Sequence, residues 1–234
     1  MIASQTPTPQ APTVPRGLFV FLLLYGGMTV LAGVLAFKQV QLVPTDLSVE
    51  SGIFAFLLLV VISSTIAQIY GQKLAQTLVM WGFVPLLISA ILLQVVLVLP
   101  ASTEMREFRP EDLAAFGEVH ASTWRVWLAG PFAYLVSLTL NVWVFSKLRG
   151  TGETNTAGLM VRGAIASALS QAVDSVIFIT LAFYGEFAIG QLLIGQVIAK
   201  VVLSVVLVPL LIAGGVALAR RLDGPANTTA STVH

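Results

Sequence analysis

The chain reads as an all-α membrane protein of six transmembrane helices with both termini in the cytoplasm, and three features support that reading. Of 234 residues, 57% are hydrophobic and only 10% charged, with a mean hydropathy of +0.93; water-soluble domains carry about 25% charged residues. Apolar runs approach the ~20 residues needed to cross ~30 Å of hydrocarbon at six places. Lysine and arginine are also divided unevenly between alternate connections, as loops on opposite membrane faces require. A formal charge of +1 provides no basic stripe, so nucleic-acid binding is excluded. Without cysteine there is no disulfide, thiolate metal site or cysteine nucleophile, and two histidines, His120 and His234, argue against a histidine-based metal site. No metal and no cofactor is expected.

Residues 1–16 are rich in proline, threonine and glutamine, lack the basic start and small-residue cleavage site of a signal peptide, and read as a disordered tail. The transmembrane domain covers 17–221. Its first span, 18–37, contains Gly26, Gly27 and Gly33, small residues that allow close helix approach where lipid offers no hydrophobic drive. A loop at 38–50 with Pro44 follows. The second span, 53–69, ends at Tyr70, Gly71, Gln72 and Lys73, a glycine stop with a cation suited to a helix C-terminus. Span three, 78–99, contains Pro85, which removes a backbone donor and predicts a kink.

The long polar connection 100–123 carries Leu113, Phe116 and Val119 at helical spacing, as in a short amphipathic helix lying on the membrane surface. Span four, 124–145, has Trp124 and Trp127 placed like interfacial anchors at one end and Lys147 and Arg149 at the other. A flexible polar loop at 150–157 precedes spans five and six, 159–184 and 187–219. Gly185 and Glu186 form a tight turn between these two, so they are antiparallel neighbours. Residues 222–234 form a second disordered tail.

With six spans, Arg16, Lys73, Lys147, Arg149, Arg162, Arg220 and Arg221 share one side, and Lys38, Arg106, Arg109 and Arg125 the other. The richer side is cytoplasmic by the positive-inside rule.

Asp174 and Lys200 fall near the middles of spans five and six, where a charge costs at least ~2.5 kcal/mol and so requires a partner or a water-filled cavity. Asp174 lies 12 residues before Glu186 and Lys200 lies 14 after it. At ~1.5 Å per residue the two differ in height by only ~3 Å, so an ion pair is geometrically possible. Ser167, Gln171 and Asp174 follow the i, i+4, i+7 spacing of one helical face, with Ser170 and Phe178 beside them. A carboxylate, an amide and hydroxyls on one face suit a planar solute rich in ring N–H and carbonyl groups, because a carboxylate accepts two parallel hydrogen bonds. They suit a divalent metal badly. Asn141 in span four, Gln68 at the end of span two and Gln94 in span three add polar positions, as do Ser63, Ser64 and Thr65; aromatic surfaces come from Phe132, Tyr134, Trp143 and Phe183. Each has a plainer role available: a helix-locking ion pair, an interhelical hydrogen bond, or a serine bonded back to its own helix.

Several segments are similar to the C-terminal half of the VUT family, six-helix inner-membrane proteins regarded as queuosine-precursor transporters. They are NVWVFSKLR from Asn141, VRGAIASALSQAVDSVIFITLAFYGE from Val161, and QVIAKVVLSVVLVPLL from Gln196, in which Pro209 follows Lys200 by nine residues. The Tyr-Gly-x-Lys turn at 70–73 and Arg125 also look like family positions. The resemblance implies import of a 7-deazaguanine such as 7-cyano-7-deazaguanine, with Asp174, Gln171, Ser170, Ser167, Asn141, Lys200, Phe178 and Gln68 as binding residues. The first half departs from the family pattern, with Ser64 and Gln68 where an aspartate and a glutamate are usual, and Gly33 where an asparagine is usual. The departures allow a shifted substrate.

The expected partners are therefore a small 7-deazapurine and the lipid bilayer, with helix glycines that could serve a homodimer or packing within the chain. A second class is the substrate-binding subunit of an energy-coupling-factor importer, for which Ala32 and Ala36 would form the docking stripe. An enzyme is not expected, because one membrane aspartate with no histidine or cysteine in a span leaves no acid-base pair or activated nucleophile. A purely structural role would require Asp174 to be dispensable.

Overall fold

A computed structural model describes residues 14–121, 123–148 and 156–224, with some helical side chains, Asn141 among them, outside the described set. The tails expected at 1–16 and 222–234 fall mostly outside those residues, as does most of the loop at 150–157. Nine α-helices and one hairpin make up the described chain: α1 Arg16–Leu35, β1 Gln39–Gln41, β2 Ser48–Glu50, α2 Gly52–Tyr70, α3 Gln72–Trp81, α4 Phe83–Val98, α5 Thr103–Phe108, α6 Pro110–Ala121, α7 Thr123–Leu148, α8 Thr156–Phe183 and α9 Gly190–Asp223.

Four of these stretches are long and apolar enough to cross a membrane: Arg16–Leu35, Gly52–Tyr70, Gln72–Val98 and Gly190–Asp223, with Ser167–Phe183 a shorter apolar helix. The stretch 72–98 is divided at Gly82 into α3 and α4. Pro85 accounts for the division. Lacking an N–H, it cannot bond the carbonyl of Trp81, so the interruption appears one turn upstream of the proline. Large side chains such as Leu23, Ile91, Val205 and Leu210 stay exposed on the outside, the surface expected of a bundle whose solvent is lipid. The chain is an all-α, multi-pass membrane protein.

Inside the bundle, α7 lies along α8, α1 along α2, and α9 contacts α1, α2 and α8. One core groups Trp127, Ile179, Phe183 and Leu192; another joins Phe21, Tyr25, Ile62, Ile66 and Ala219. At one end Asp223 gathers three helices: its Oδ2 accepts from the Tyr70 hydroxyl at 2.7 Å and its Oδ1 from the Gly17 amide at 2.7 Å. The helical chain thus continues to Asp223, past the start of the expected tail.

Three expectations are corrected. Residues 38–50 contain an antiparallel hairpin pairing Gln39 with Glu50, Val40 with Val49 and Gln41 with Ser48. Apolar Val40, Leu42, Leu47 and Val49 alternate with polar neighbours around Pro44, Thr45 and Asp46, the period-two pattern of a strand pair. The hairpin lies against α9 because Gly195 has no side chain: a Cβ there would collide with the backbone of Ser48. Trp127 is 4% exposed and packed in the core, whereas Trp124, at 51%, keeps the outward position of an anchor. The connection 100–123 holds two helices, α5 and α6, where one was expected.

Candidate functional site: a charged cavity between the helices

A cavity of about 180 Å³ opens within the bundle, with walls from α1, the hairpin, α2, α3, α4, α7, α8 and α9. Most of its lining is apolar or aromatic, including Phe56, Phe83, Tyr134 and Phe178. Three charged side chains interrupt that lining: Glu50, Asp174 and Lys200.

Asp174 and Lys200 meet as their matched depths allow, with Lys200 Nζ 2.6 Å from Asp174 Oδ2. Both are buried, and the ammonium also stands 4.8 Å from the centroid of the Phe56 ring. A cation over a ring face gains electrostatic attraction, most of all where water is excluded. Lys200 is therefore held from α8 and α2 at once.

Glu50 reaches the same cavity from the hairpin. Its Oε1 accepts a hydrogen bond from Gln196 Nε2 at 2.6 Å, and its own amide donates to Gln196 Oε1 at 3.2 Å. Gln196 precedes Lys200 by four residues, so one face of α9 presents both. Among the described residues no group meets hydrogen-bond geometry at the other carboxylate oxygen of Glu50, although the residue is only 4% exposed and the Gly52 and Ile53 amides stand near its carboxylate. Burial pushes this carboxyl above the usual carboxylate range, opposed by Lys200, Gln196 and the amides of Gly52 and Ile53 at the start of α2.

Trp127 supplies a further polar atom. Its indole Nε1 is buried without a hydrogen-bond partner among the described residues, and the residue lines the cavity. Gly33 makes the room: a Cβ on that residue would collide with the indole ring.

Of the residues singled out in the sequence, Asp174, Lys200 and Phe178 line the cavity. Gln171, Ser167 and Ser170 are not in its wall. Gln171 Oε1 accepts from Ser204 Oγ on α9 at 2.9 Å, and its Nε2 donates to Ser167 Oγ at 3.1 Å. Ser170 Oγ donates to the Ser167 carbonyl. The polar face of α8 is thus largely an interhelical seam, because α9 carries a matching stripe at Gln196, Lys200 and Ser204. Gln68 is exposed near the end of α2, away from the cavity wall. The side chain of Asn141 lies outside the described residues.

Glu50, Trp127 and Gln196 were missed as site residues. A signal existed for Gln196, which is four residues from an intramembrane lysine. None existed for the orientation of Trp127.

A helical membrane protein whose interior cavity holds one lysine and two carboxylates is the class that these features define. The chain belongs to the VUT family: the family model described as "Putative vitamin uptake transporter" matches residues 50–214, the segment that carries Glu50, Trp127, Asp174 and Lys200. No curated protein and no solved structure matches the chain.

Proposed function

We propose that the protein is a six-span inner-membrane importer of a queuosine precursor, 7-cyano-7-deazaguanine or a related 7-deazapurine, with both termini cytoplasmic. The observation that carries this reading is the buried Asp174–Lys200 pair in the wall of a cavity lined mostly by apolar and aromatic groups. Its ~180 Å³ is below the ~300–1,000 Å³ of drug-sized sites, which favours a small flat solute. The exocyclic amine of the ring would donate to Asp174, while Phe56, Tyr134 and Phe178 offer flat surfaces to the ring. Lys200 partners the buried Asp174 carboxylate until the ligand arrives. Transport would proceed by alternating access around this midplane site, as in secondary carriers.

Gln171, Ser167 and Ser170 then act behind Asp174, holding α8 against α9. Gly33, in place of a polar residue, makes space for the Trp127 indole, which carries an N–H donor. Ser64 and Gln68 leave span two without carboxylates, and Glu50 supplies a negative group from the hairpin.

The test is direct binding of a panel of deazapurines, guanine and other nucleobases to the purified protein. Saturable binding of 7-deazapurines in preference to pyrimidines is expected. Binding confined to an unrelated solute class would overturn the substrate assignment. Uptake that occurs only with an added ATPase module would replace the secondary carrier by an energy-coupling-factor subunit.

A further inference from the structure

Two residues that line the cavity, Glu50 and Trp127, each carry a buried polar atom, Oε2 and Nε1, with no hydrogen-bond partner among the described residues. They are of opposite hydrogen-bonding type. Lys200, Gln196 and the amides of Gly52 and Ile53 favour the ionised form of Glu50 against burial; in that form the carboxylate only accepts, and an indole N–H only donates. Both residues are 4% exposed, and leaving such a group unpaired away from water costs about 1–3 kcal/mol.

Their positions are linked through α1. The Gly52 site that adjoins Glu50 Oε2 also adjoins the Ala32 carbonyl, and the indole of Trp127 sits against Gly33, the next residue. The acceptor and the donor therefore both lie beside one short stretch of α1, Ala32 and Gly33, and these two residues line the cavity. Glu50 is already anchored through Oε1 and its amide to Gln196, and Trp127 is a member of the apolar core.

Charge points the same way. Glu50 and Asp174 share one cation, Lys200, which is engaged at 2.6 Å by Asp174. Glu50 is the carboxylate left to bind something else.

We infer that Glu50 and Trp127 form a second recognition pair in the cavity, which takes a nitrogen heterocycle carrying an N–H beside a ring acceptor, as in a lactam edge. Glu50 Oε2 accepts from the N–H, and Trp127 Nε1 donates to the neighbouring carbonyl or ring nitrogen. The inference rests on the cavity being the transport site but does not require a deazapurine, since any lactam or imide ring presents this edge. The pair determines selectivity for donor-acceptor order, while Asp174 and Lys200 supply the charged end of the site.

The experiment titrates purified full-length protein with guanine, 7-deazaguanine and uracil, and with their counterparts methylated at the lactam nitrogen. Wild type, Glu50→Gln and Trp127→Phe are compared. Glu50→Gln keeps an oxygen for Gln196 and puts a donor amide where Oε2 stood; Trp127→Phe keeps an aromatic ring and removes the N–H. Wild type should bind the lactam forms and lose about 10–100-fold on N-methylation, the range for a hydrogen bond to a charged group. Glu50→Gln should weaken binding of the lactam forms by a similar factor and abolish discrimination against the methylated ones. Trp127→Phe should lose about 3–10-fold with Glu50 intact, the range for a neutral hydrogen bond. If Glu50→Gln does not fold, the Trp127→Phe series decides.

Deazapurine binding with wild-type affinities in both variants would overturn the second pair and leave the transporter reading standing. Uracil-type binding that depends on Glu50, without deazapurine binding, would retain the pair and discard the deazapurine substrate. Binding of none of the six compounds by wild type would overturn both.

Discussion

Lys200 Nζ lies 2.6 Å from Asp174 Oδ2, and this pair joins α9 to α8 inside the bundle. The pair divides two questions that single substitutions confuse: what holds the helices together, and what binds the solute. Removing one partner strands a buried charge, which costs about 3–5 kcal/mol, whereas replacing both by apolar groups is often neutral. Asp174→Asn and Lys200→Met should each lower the unfolding midpoint in detergent, and the double variant should recover most of that loss. Uptake should be absent from Asp174→Asn and from the double variant. Recovery of uptake together with stability in the double variant would make the pair structural only.

Gln196 fixes the hairpin carboxylate. Gln196→Leu removes both hydrogen bonds to Glu50 and leaves the carboxylate buried with less compensation. A stability loss of about 1–3 kcal/mol is expected from thermal or denaturant unfolding. Combining Glu50→Leu with Gln196→Leu should reverse much of it.

Gly195 permits the close approach of α9 to β2. A Cβ at this position would meet the Ser48 backbone, and backbone does not move aside as a flexible side chain does. Gly195→Ala should destabilise by about 1–3 kcal/mol, the usual range for overpacking. Gly195→Val should do worse. A neutral Gly195→Ala would mean that the hairpin does not seat on α9 as described.

Arg125 at the start of α7 reaches the turn between α8 and α9, donating to Glu186 Oε1 at 3.0 Å and to the Tyr184 carbonyl at 2.8 Å. The carboxylate partner is about half exposed, and solvated ion pairs contribute only about 0–1 kcal/mol. Glu186→Gln should change stability by under about 1 kcal/mol, and raising salt should change it as little. The expectation can be checked by unfolding at low and high ionic strength.

Four of the expected spans and the ion pair were legible because both follow from distances along single helices. Apolar length marks a segment that crosses lipid, and counting residues from the Gly185–Glu186 turn sets the relative heights of Asp174 and Lys200. Glu50 was not legible by that route. Its burial comes from α9, about 146 residues away in sequence, and depends on Gly195 having no side chain.

Trp127 near a helix start reads as an interfacial anchor, and only the gap left by Gly33 on another helix turns it inward. The polar face of α8 was legible as a stripe but not in its use, because Gln171 and Ser167 are occupied by each other and by Ser204. A matching stripe on α9 at 196, 200 and 204 was present in the sequence. Reading the two helices together would have separated the seam from the cavity wall.

The most direct measurement is uptake of labelled 7-cyano-7-deazaguanine into proteoliposomes containing this protein alone, with wild type and Asp174→Asn reconstituted to equal density. Wild type should accumulate label with saturable kinetics, and Asp174→Asn should stay at the level of empty vesicles. Transport by Asp174→Asn at the wild-type rate would contradict the account.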